Sequence, residues 1–411
     1  MKSFLINKNF TSMWLSELAT VLNSRLRELV IPLIVLGLTR SPLVTSLVML
    51  SQQLGTIIFA IPIGTWVESK NKVRVATICN LFYAVCIFLL TFFIASEQYN
   101  SLLVAILLFV MGIVALISRT AFSTMIPNVT GRDKLVEAHT GLEAADAFST
   151  FVGPTIGGLL LAYSGESVTL FICGLLSIIS MFFISRVQYT EKVKYTETSN
   201  LKIKRKRFIQ QTSDGLRYIF STPQQIVCIL VISSLSFSTV FIMLTVIFHA
   251  RITLNLSEGL IGIALSCAGV GNMAGIIIMK WFKNVNWLLF LIVLLTVSAS
   301  GILLIALFKN YLFLCIGLLV FDGALSMAFI VQAAVQQGVT PDELLSRVKS
   351  ATYVISGIFS VLGTFLAGVI PEYWSSEIAL LVGFLLLTGP AIYIIKYHSL
   401  SDKLSHVKPR L

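Results

Sequence analysis

The chain has 411 residues, of which 56% are hydrophobic and only 12% charged, with a formal net charge of +11 at pH 7. Soluble domains carry about 25% charged residues, so this composition excludes an ordinary soluble domain and indicates a membrane protein. The basic residues are spread over short segments between apolar runs, which argues against nucleic acid as the partner that explains the positive charge.

Apolar runs long enough to cross a bilayer recur along the whole chain, since about 20 helical residues span the hydrocarbon layer. We therefore expect an all-α membrane protein with twelve transmembrane helices. The predicted spans are residues 11–38, 43–66, 74–95, 101–125, 136–163, 167–188, 224–248, 259–281, 287–308, 311–334, 345–370 and 377–397.

The widest polar gap between spans, residues 189–222, falls at the middle of the chain. We interpret it as a cytoplasmic linker that joins an N-terminal six-helix bundle, residues 1–188, to a C-terminal six-helix bundle, residues 223–411. Its basic run, Lys202–Phe208, is suited to contact anionic lipid headgroups of the inner leaflet. The stretch Phe208–Phe220 is predicted to form a short surface helix.

The two predicted bundles echo each other in sequence. The segment Val129–Leu160 is repeated at Val339–Ile370, and Leu38–Phe59 is repeated at Leu254–Gly275. The alignment pairs Ser41 with Ser257, Gly55 with Gly271, Gly153 with Gly363 and Gly158 with Gly368. Two pseudo-symmetric halves around a central site are what a membrane transporter needs to alternate its access.

Lys and Arg are concentrated on alternate loops, which predicts the orientation of the chain in the membrane. The loops assigned to the outside hold only Arg40, Arg251 and Lys309. By the positive-inside rule, both termini lie in the cytoplasm. We expect a multi-pass protein of the bacterial plasma membrane, with membrane lipids among its contacts.

Charged residues inside the spans are the strongest functional clues, because each costs about 2.5–3.5 kcal/mol or more at a helix centre and normally faces the protein interior. Glu143 and Asp146 lie on one face of the fifth span, together with Gly153 and Gly157. These two carboxylates and Glu28 of the first span are the candidates for proton coupling. Hydrogen bonding at a gate is the alternative role for the pair in span five.

A further set of polar residues is expected to line a substrate cavity, namely Ser24, Arg25, Arg27, Arg119 and Asp322. Arg25 precedes Glu28 by about one turn, so an ion pair that only neutralises charge is the structural alternative. Arg27 points about 100° away from Glu28 and needs a different anion, from span five or from the substrate. Arg119 can instead extend to the cytoplasmic face, and Asp322 can serve a structural role.

The loop after the second span reads Gly64-Thr-Trp-Val-Glu68-Ser-Lys-Asn71-Lys72-Val-Arg74. It resembles the G-x-x-x-D-x-x-G-R/K loop of the major facilitator superfamily, with Glu68 in place of the Asp and Asn71 in place of the second Gly. The resemblance implies that Gly64, Glu68, Lys72 and Arg74 form a gate on the inner side. We expect Asn71 to take the left-handed conformation that glycine would take.

Three stretches resemble the drug:proton antiporter-3 branch of that superfamily: Asn23–Ser41, Pro127–Gly158 and Gln336–Val348. That branch usually has Gly-Asp where Asn23 and Ser24 stand. The second stretch ends in a Gly-Pro-x-x-Gly-Gly motif whose expected role is close helix packing, made by Gly153, Pro154, Gly157 and Gly158.

The resemblance implies a proton-coupled secondary transporter, not an enzyme, that exports an amphiphilic drug, macrolide or siderophore by alternating access. A lysophospholipid or other lipid transporter is the alternative, and a non-transporting membrane sensor or assembly subunit is a third possibility. We expect a monomer without cofactor or metal, because no nucleotide-binding loop is present and the six cysteines lack metal-ligand spacing.

Overall fold

The structure is a computed structural model that describes residues 6–68, 70–131, 134–188, 217–282, 284–341 and 344–400. Almost all of these residues are helical. In chain order the long helices are α1 (Lys8–Thr39), α2 (Pro42–Glu68), α3 (Lys72–Ala95), α4 (Ser101–Thr130), α5 (135–164), α6 (166–185), α7 (Pro223–Phe248), α8 (Glu258–Ile278), α9 (Trp287–Leu307), α10 (Tyr311–Val339), α11 (Leu345–Tyr373) and α12 (Ser376–Ile394).

Helices α5 and α6 form one run, Leu135–Ser185, that is interrupted at Gly165. This residue has φ 78° and ψ 177°, a backbone conformation that glycine adopts without the steric penalty of a Cβ. The interruption separates two helices, each long enough to cross a bilayer, as the sequence predicted. Helices α4 and α10 continue about one turn beyond their predicted ends, to Thr130 and Val339.

Ten helical segments of the described chain are long and apolar enough to cross a membrane. The Leu135–Ser185 run is counted among them once, although Gly165 divides it. Helix α1 is not among the ten, and it is the helix that carries Glu17, Arg25, Arg27 and Glu28. With α1 and the divided run included, the predicted fold of twelve spans is confirmed.

The internal repeat is also visible in how glycines let helices cross. A Cβ added to Gly55 of α2 would collide with the carbonyl oxygen of Phe109 in α4, and one added to Gly271 of α8 would collide with that of Leu319 in α10. Real Cβ atoms do not approach other atoms so closely. Both crossings therefore need glycine at the position that the sequence repeat aligns.

A second aligned pair gives the same result. A Cβ on Gly153 of α5 would lie 2.6 Å from Cβ of Arg25 in α1, and one on Gly363 of α11 would lie 2.7 Å from the carbonyl oxygen of Phe237 in α7. Helix α5 thus meets α1 as α11 meets α7. The two halves share one backbone plan, although Arg25 occupies the first contact and Phe237 the second.

Asparagine caps repeat in the same way. The side chain of Asn71 accepts a hydrogen bond from the Arg74 amide at the start of α3, and Asn286 caps α9 in the same manner. Asn100 and Asn310 cap α4 and α10. Each cap satisfies an amide that has no partner within the first helical turn.

Asn71 corrects one expectation about the loop after α2. Its φ of −65° and ψ of 111° are extended, not left-handed, because the residue serves as the N-cap of α3. Glu68 ends α2, Lys72 begins α3, and Arg74 is exposed. The surroundings of Gly64 and the side chain of Glu68 lie outside the described part of the structure, so the gate role of this loop stays a prediction.

The described residues fall into two compact units. The first unit lies within Met1–Arg40, Leu47–Leu201 and Ser257–Ser266. The second lies within Ser41–Ser46, Lys202–Leu256 and Cys267–Leu411. The predicted boundaries at 188 and 223 stay a prediction.

Each unit has its own apolar core. In the first unit, Phe10 and Met13 of α1 pack with Met125 of α4 and Ile184 of α6 in one buried cluster. In the second unit, a smaller cluster joins Ile219, Ile229, Val348 and Ala351. Residues 217–221 are helical, whereas the predicted linker before them, with its basic run, lies outside the described residues.

Candidate functional site

The first unit holds a partly open cavity of about 360 Å³ lined by residues of α1, α2, α3, α4, α5 and α6. Six of the residues that line it have ionisable side chains, three basic and three acidic. They are Glu17, Arg25, Arg27, Glu28, Arg119 and Asp146. Ser24 also lines the cavity, so the cavity brings together four of the five predicted cavity residues and two of the three carboxylates predicted to couple protons.

Arg25 is the centre of the ion pairs in this cavity. Its Nη1 donates to Oε2 of Glu28 at 3.1 Å, within α1. Its Nη2 donates to Oδ1 and Oδ2 of Asp146 in α5, at 3.0 and 3.3 Å. The expected pair of Arg25 with Glu28 is therefore present, but a second carboxylate from another helix completes it.

The position of Asp146 follows from the contact between α1 and α5. Gly153, two turns further along α5, lies against Arg25, and Gly157 lies against Leu26 and Val30. The glycine face predicted for α5 thus packs on α1, and Asp146 on the same face is held next to the Arg25 guanidinium. Gly158 and the carbonyl of Pro154 instead contact the first turns of α8, which belong to the same unit.

The two carboxylates that bond Arg25 are not deeply buried. The side chains of Glu28 and Asp146 are 55% and 44% exposed, and that of Arg25 is 30% exposed. Ser24 donates a further bond to Glu28 at 3.4 Å.

Two predicted site residues lie elsewhere. Glu143 is exposed and does not line the cavity, although it is one turn from Asp146 on α5. Asp322 lies in α10 of the second unit. Arg119 of α4 is exposed but faces the cavity, where it interacts electrostatically with Glu17.

Arg27, about 100° from Glu28 around the axis of α1, contacts α3. Its guanidinium carbon lies 5.0 Å from the centre of the Tyr83 ring in α3, and only 5% of the residue is exposed. A cation over an aromatic face is attracted by the ring quadrupole, which offsets part of the cost of burying the charge. Asp146, one of the anions expected as its partner, is bonded to Arg25 instead.

A hydrogen-bonded network of neutral side chains forms another wall of the cavity. The Ser180 hydroxyl of α6 bonds the hydroxyls of Ser16 and Thr20 at 2.8 and 2.7 Å, and accepts from Asn80 at 2.9 Å. Ser118 donates to Asn80 at 2.8 Å. The Ser180 hydroxyl therefore links α6 to α1 and α3, and Asn80 extends the network to α4.

Sequence reasoning missed this network. A signal was present, since Ser16, Thr20, Asn23 and Arg27 recur every three or four residues and so share one face of α1. The amide of Asn23 donates to Ser177 of α6 at 2.8 Å, which extends the polar wall toward Arg27.

The six cysteines are free thiols in the described structure. No group of three His, Cys, Asp or Glu side chains within the described residues is arranged to hold a metal ion.

Twelve helical spans built on an internal repeat, with ion pairs inside the first half, define an integral membrane protein of the transporter class. The family model of the Major Facilitator Superfamily matches residues 13–364. The chain belongs to this superfamily and is a secondary transporter, not an enzyme. No curated protein matches the sequence significantly.

Solved structures show the same fold. A bacterial homologue of the iron transporter ferroportin, in an inward-facing state, has a TM-score of 0.71 at 16% identity, over 95% of this chain and 98% of that chain. A bacterial metal transporter has a TM-score of 0.68 at 14% identity, over 96% and 99%. A single-residue mutant of the nucleoside transporter NupG has a TM-score of 0.69 at 13% identity, over 95% of this chain and 99% of that chain. Such low identities establish the fold alone.

Proposed function

We propose that this protein exports an amphiphilic small molecule, such as a drug, a macrolide or a siderophore, in exchange for protons across the plasma membrane of a bacterium. Both termini lie in the cytoplasm in this proposal, and the monomer is the transporting species. The resemblance to the drug:proton antiporter-3 branch supports the choice of cargo. The observation that carries the proton coupling is the cluster of Arg25, Glu28 and Asp146.

The cluster has two carboxylates for one guanidinium, so it carries a net charge of −1 when both acids are ionised. Binding one proton leaves a single neutral ion pair, which costs less inside a membrane than a net charge. Asp146 is the proposed acceptor because its bonds cross between helices, whereas those of Glu28 stay within α1.

Protonation of Asp146 would weaken its bonds to Arg25 without disturbing the glycine contact between α1 and α5. A charge change at a fixed contact can bias the equilibrium between two conformations, provided that the two states hold the proton with different affinity. In this proposal the outward-open state takes the proton and the inward-open state releases it.

A lysophospholipid or other lipid is the second candidate cargo. The observation that favours it is Arg27, which lines the cavity and has no carboxylate partner among the described residues. A negatively charged headgroup would supply that partner.

The experiment uses the full chain reconstituted in liposomes that contain a pH-sensitive dye. A macrolide, a catecholate siderophore and a lysophospholipid are each added under an imposed pH gradient. Proton movement stimulated by one of the first two supports the proposal, and stimulation by the lipid alone supports the second candidate. Transport of any of them that ignores the pH gradient would exclude proton coupling.

A further inference from the structure

Arg27 is the only Asp, Glu, Lys or Arg that is buried in the described part of the chain. Its guanidinium lies over the Tyr83 ring. Its Nε is buried and has no hydrogen-bond partner among the described residues. A buried guanidinium normally has a carboxylate and several acceptors, because an unpaired charge is costly to remove from water. This arginine lies over the Tyr83 ring, and both residues line the cavity.

The acids of the cavity are engaged elsewhere. Glu28 and Asp146 both bond Arg25, while Glu17 interacts with Arg119. Basic and acidic side chains are thus equal in number around the cavity, but they are not evenly paired. The uncompensated positive charge is that of Arg27.

Neutral polar groups surround the same space. Asn23 donates to Ser177, and its Oδ1 is buried without a partner, one turn from Arg27 on α1. The cavity volume of about 360 Å³ corresponds to on the order of ten water molecules. The Arg27 guanidinium is the group suited to an oxyanion, since a guanidinium donates two parallel bonds to a carboxylate or phosphate, and hydroxyl groups of the cavity can donate as well.

We propose that the cavity of the first unit is an oxyanion-binding site, in which Arg27 binds a carboxylate- or phosphate-type group. The group is either a small free anion or the charged head of the transported amphiphile. The second source rests on the proposed function, whereas the first does not. The Tyr83 ring holds the guanidinium through its cation–π contact.

The test uses the full chain in a neutral maltoside detergent, with calorimetric titration and thermal unfolding. The probes are sodium phosphate, sodium benzoate and lysophosphatidylglycerol, each compared with sodium chloride at equal ionic strength. The variants are Arg27→Gln and Arg27→Lys. The matched control is Arg186→Gln, which removes the same charge from an arginine that also stacks on a ring, Phe182 at 4.2 Å, but on an exposed surface.

We expect at least one oxyanion to bind the wild type, and Arg27→Gln to weaken its affinity tenfold or more. Arg27→Lys, which keeps the charge but loses the two parallel donors, should weaken it less and keeps the test informative if the Gln variant does not fold. Arg186→Gln should bind like the wild type. Binding of phosphate or benzoate assigns a free anion, and binding of the lipid alone assigns a headgroup.

Two results would overturn the site. One is a wild type that no oxyanion stabilises beyond chloride. The other is equal affinity in the wild type and in both Arg27 variants. Transport in liposomes separates this inference from the proposed function. Anion binding without any transport contradicts only the transport proposal, and proton-coupled transport without binding that depends on Arg27 contradicts only the site.

Discussion

The guanidinium of Arg25 joins α1 to α5 through two hydrogen bonds to the Asp146 carboxylate, at 3.0 and 3.3 Å. The same arginine lies against Gly153, so the backbone contact and the ion pair share one residue. The helix contact thus brings Asp146 within reach of the Arg25 guanidinium. In the proposed mechanism a single proton changes the charge of this cluster while the helices stay in contact.

We predict that Asp146→Asn folds normally but loses transport driven by a pH gradient, because the amide cannot bind and release a proton. Downhill movement of cargo should persist. The measurement is uptake into proteoliposomes with and without the gradient, beside thermal unfolding of the purified variant.

Glu143→Gln is the matched comparison for Asp146→Asn, since Glu143 is one turn away on α5, is exposed and does not line the cavity. Glu143→Gln should reduce gradient-driven transport less than Asp146→Asn does. The reduction caused by Glu28→Gln should fall between these two. If all three variants still move cargo against a gradient, the coupling assignment is wrong.

The hydroxyl network should contribute to the stability of the first unit. Ser180→Ala removes the group that Ser16, Thr20 and Asn80 share, and leaves their polar atoms without that partner. We expect a loss of about 1–3 kcal/mol in the free energy of unfolding. Ser185→Ala on the same helix is the control, because its exposed hydroxyl bonds only the Phe182 carbonyl. Equal losses in the two variants would show that the network adds nothing.

The glycine crossings give a prediction with a built-in control. Gly55→Ala places a Cβ against the Phe109 carbonyl, whereas a Cβ on Gly37 of α1 meets nothing within 4 Å. The first change should destabilise the protein by about 1–3 kcal/mol through overpacking. The second should be neutral or stabilising by up to about 1 kcal/mol, since alanine favours helix more than glycine does. Thermal unfolding in detergent measures both changes.

By the internal repeat, Gly271→Ala should destabilise as much as Gly55→Ala, because its Cβ would meet the Leu319 carbonyl. A harmless Gly271→Ala would mean that the aligned crossings are not equivalent in energy.

The gate prediction rests on the resemblance of the loop after α2 to the superfamily's motif. Glu68→Ala should favour the inward-open form and slow turnover while cargo binding is largely retained. Spectroscopic labels on the cytoplasmic side report the populations of the two forms. An unchanged distribution in the variant, with normal turnover, would remove Glu68 from the gate.

The sequence predicted the fold well because its signals are local. Span length follows from the rise per residue of a helix, and the repeated glycines mark crossings that only a residue without a Cβ allows. The break at Gly165 likewise falls between two predicted spans.

The site was predicted only in part, because it depends on how helices are rotated against each other. From sequence, Glu143 and Asp146 are equivalent acids on one face. Only the contact of α5 with α1 shows that Asp146 reaches Arg25 and Glu143 does not.

The hydroxyl network was missed for a related reason. Serine and threonine inside spans commonly bond their own backbone, as Thr77 and Thr120 do here, so their presence alone does not predict a network.

The paired crossings have a consequence for how such a chain can diversify after duplication. The repeated contacts use glycine and backbone atoms, so the neighbouring side chains are free to change without loss of the shared architecture. Where Gly153 meets Arg25, its counterpart Gly363 meets Phe237. One half thus has a charged residue at this contact, where the other half has an aromatic residue. A duplicated scaffold of this kind allows its two halves to take different roles.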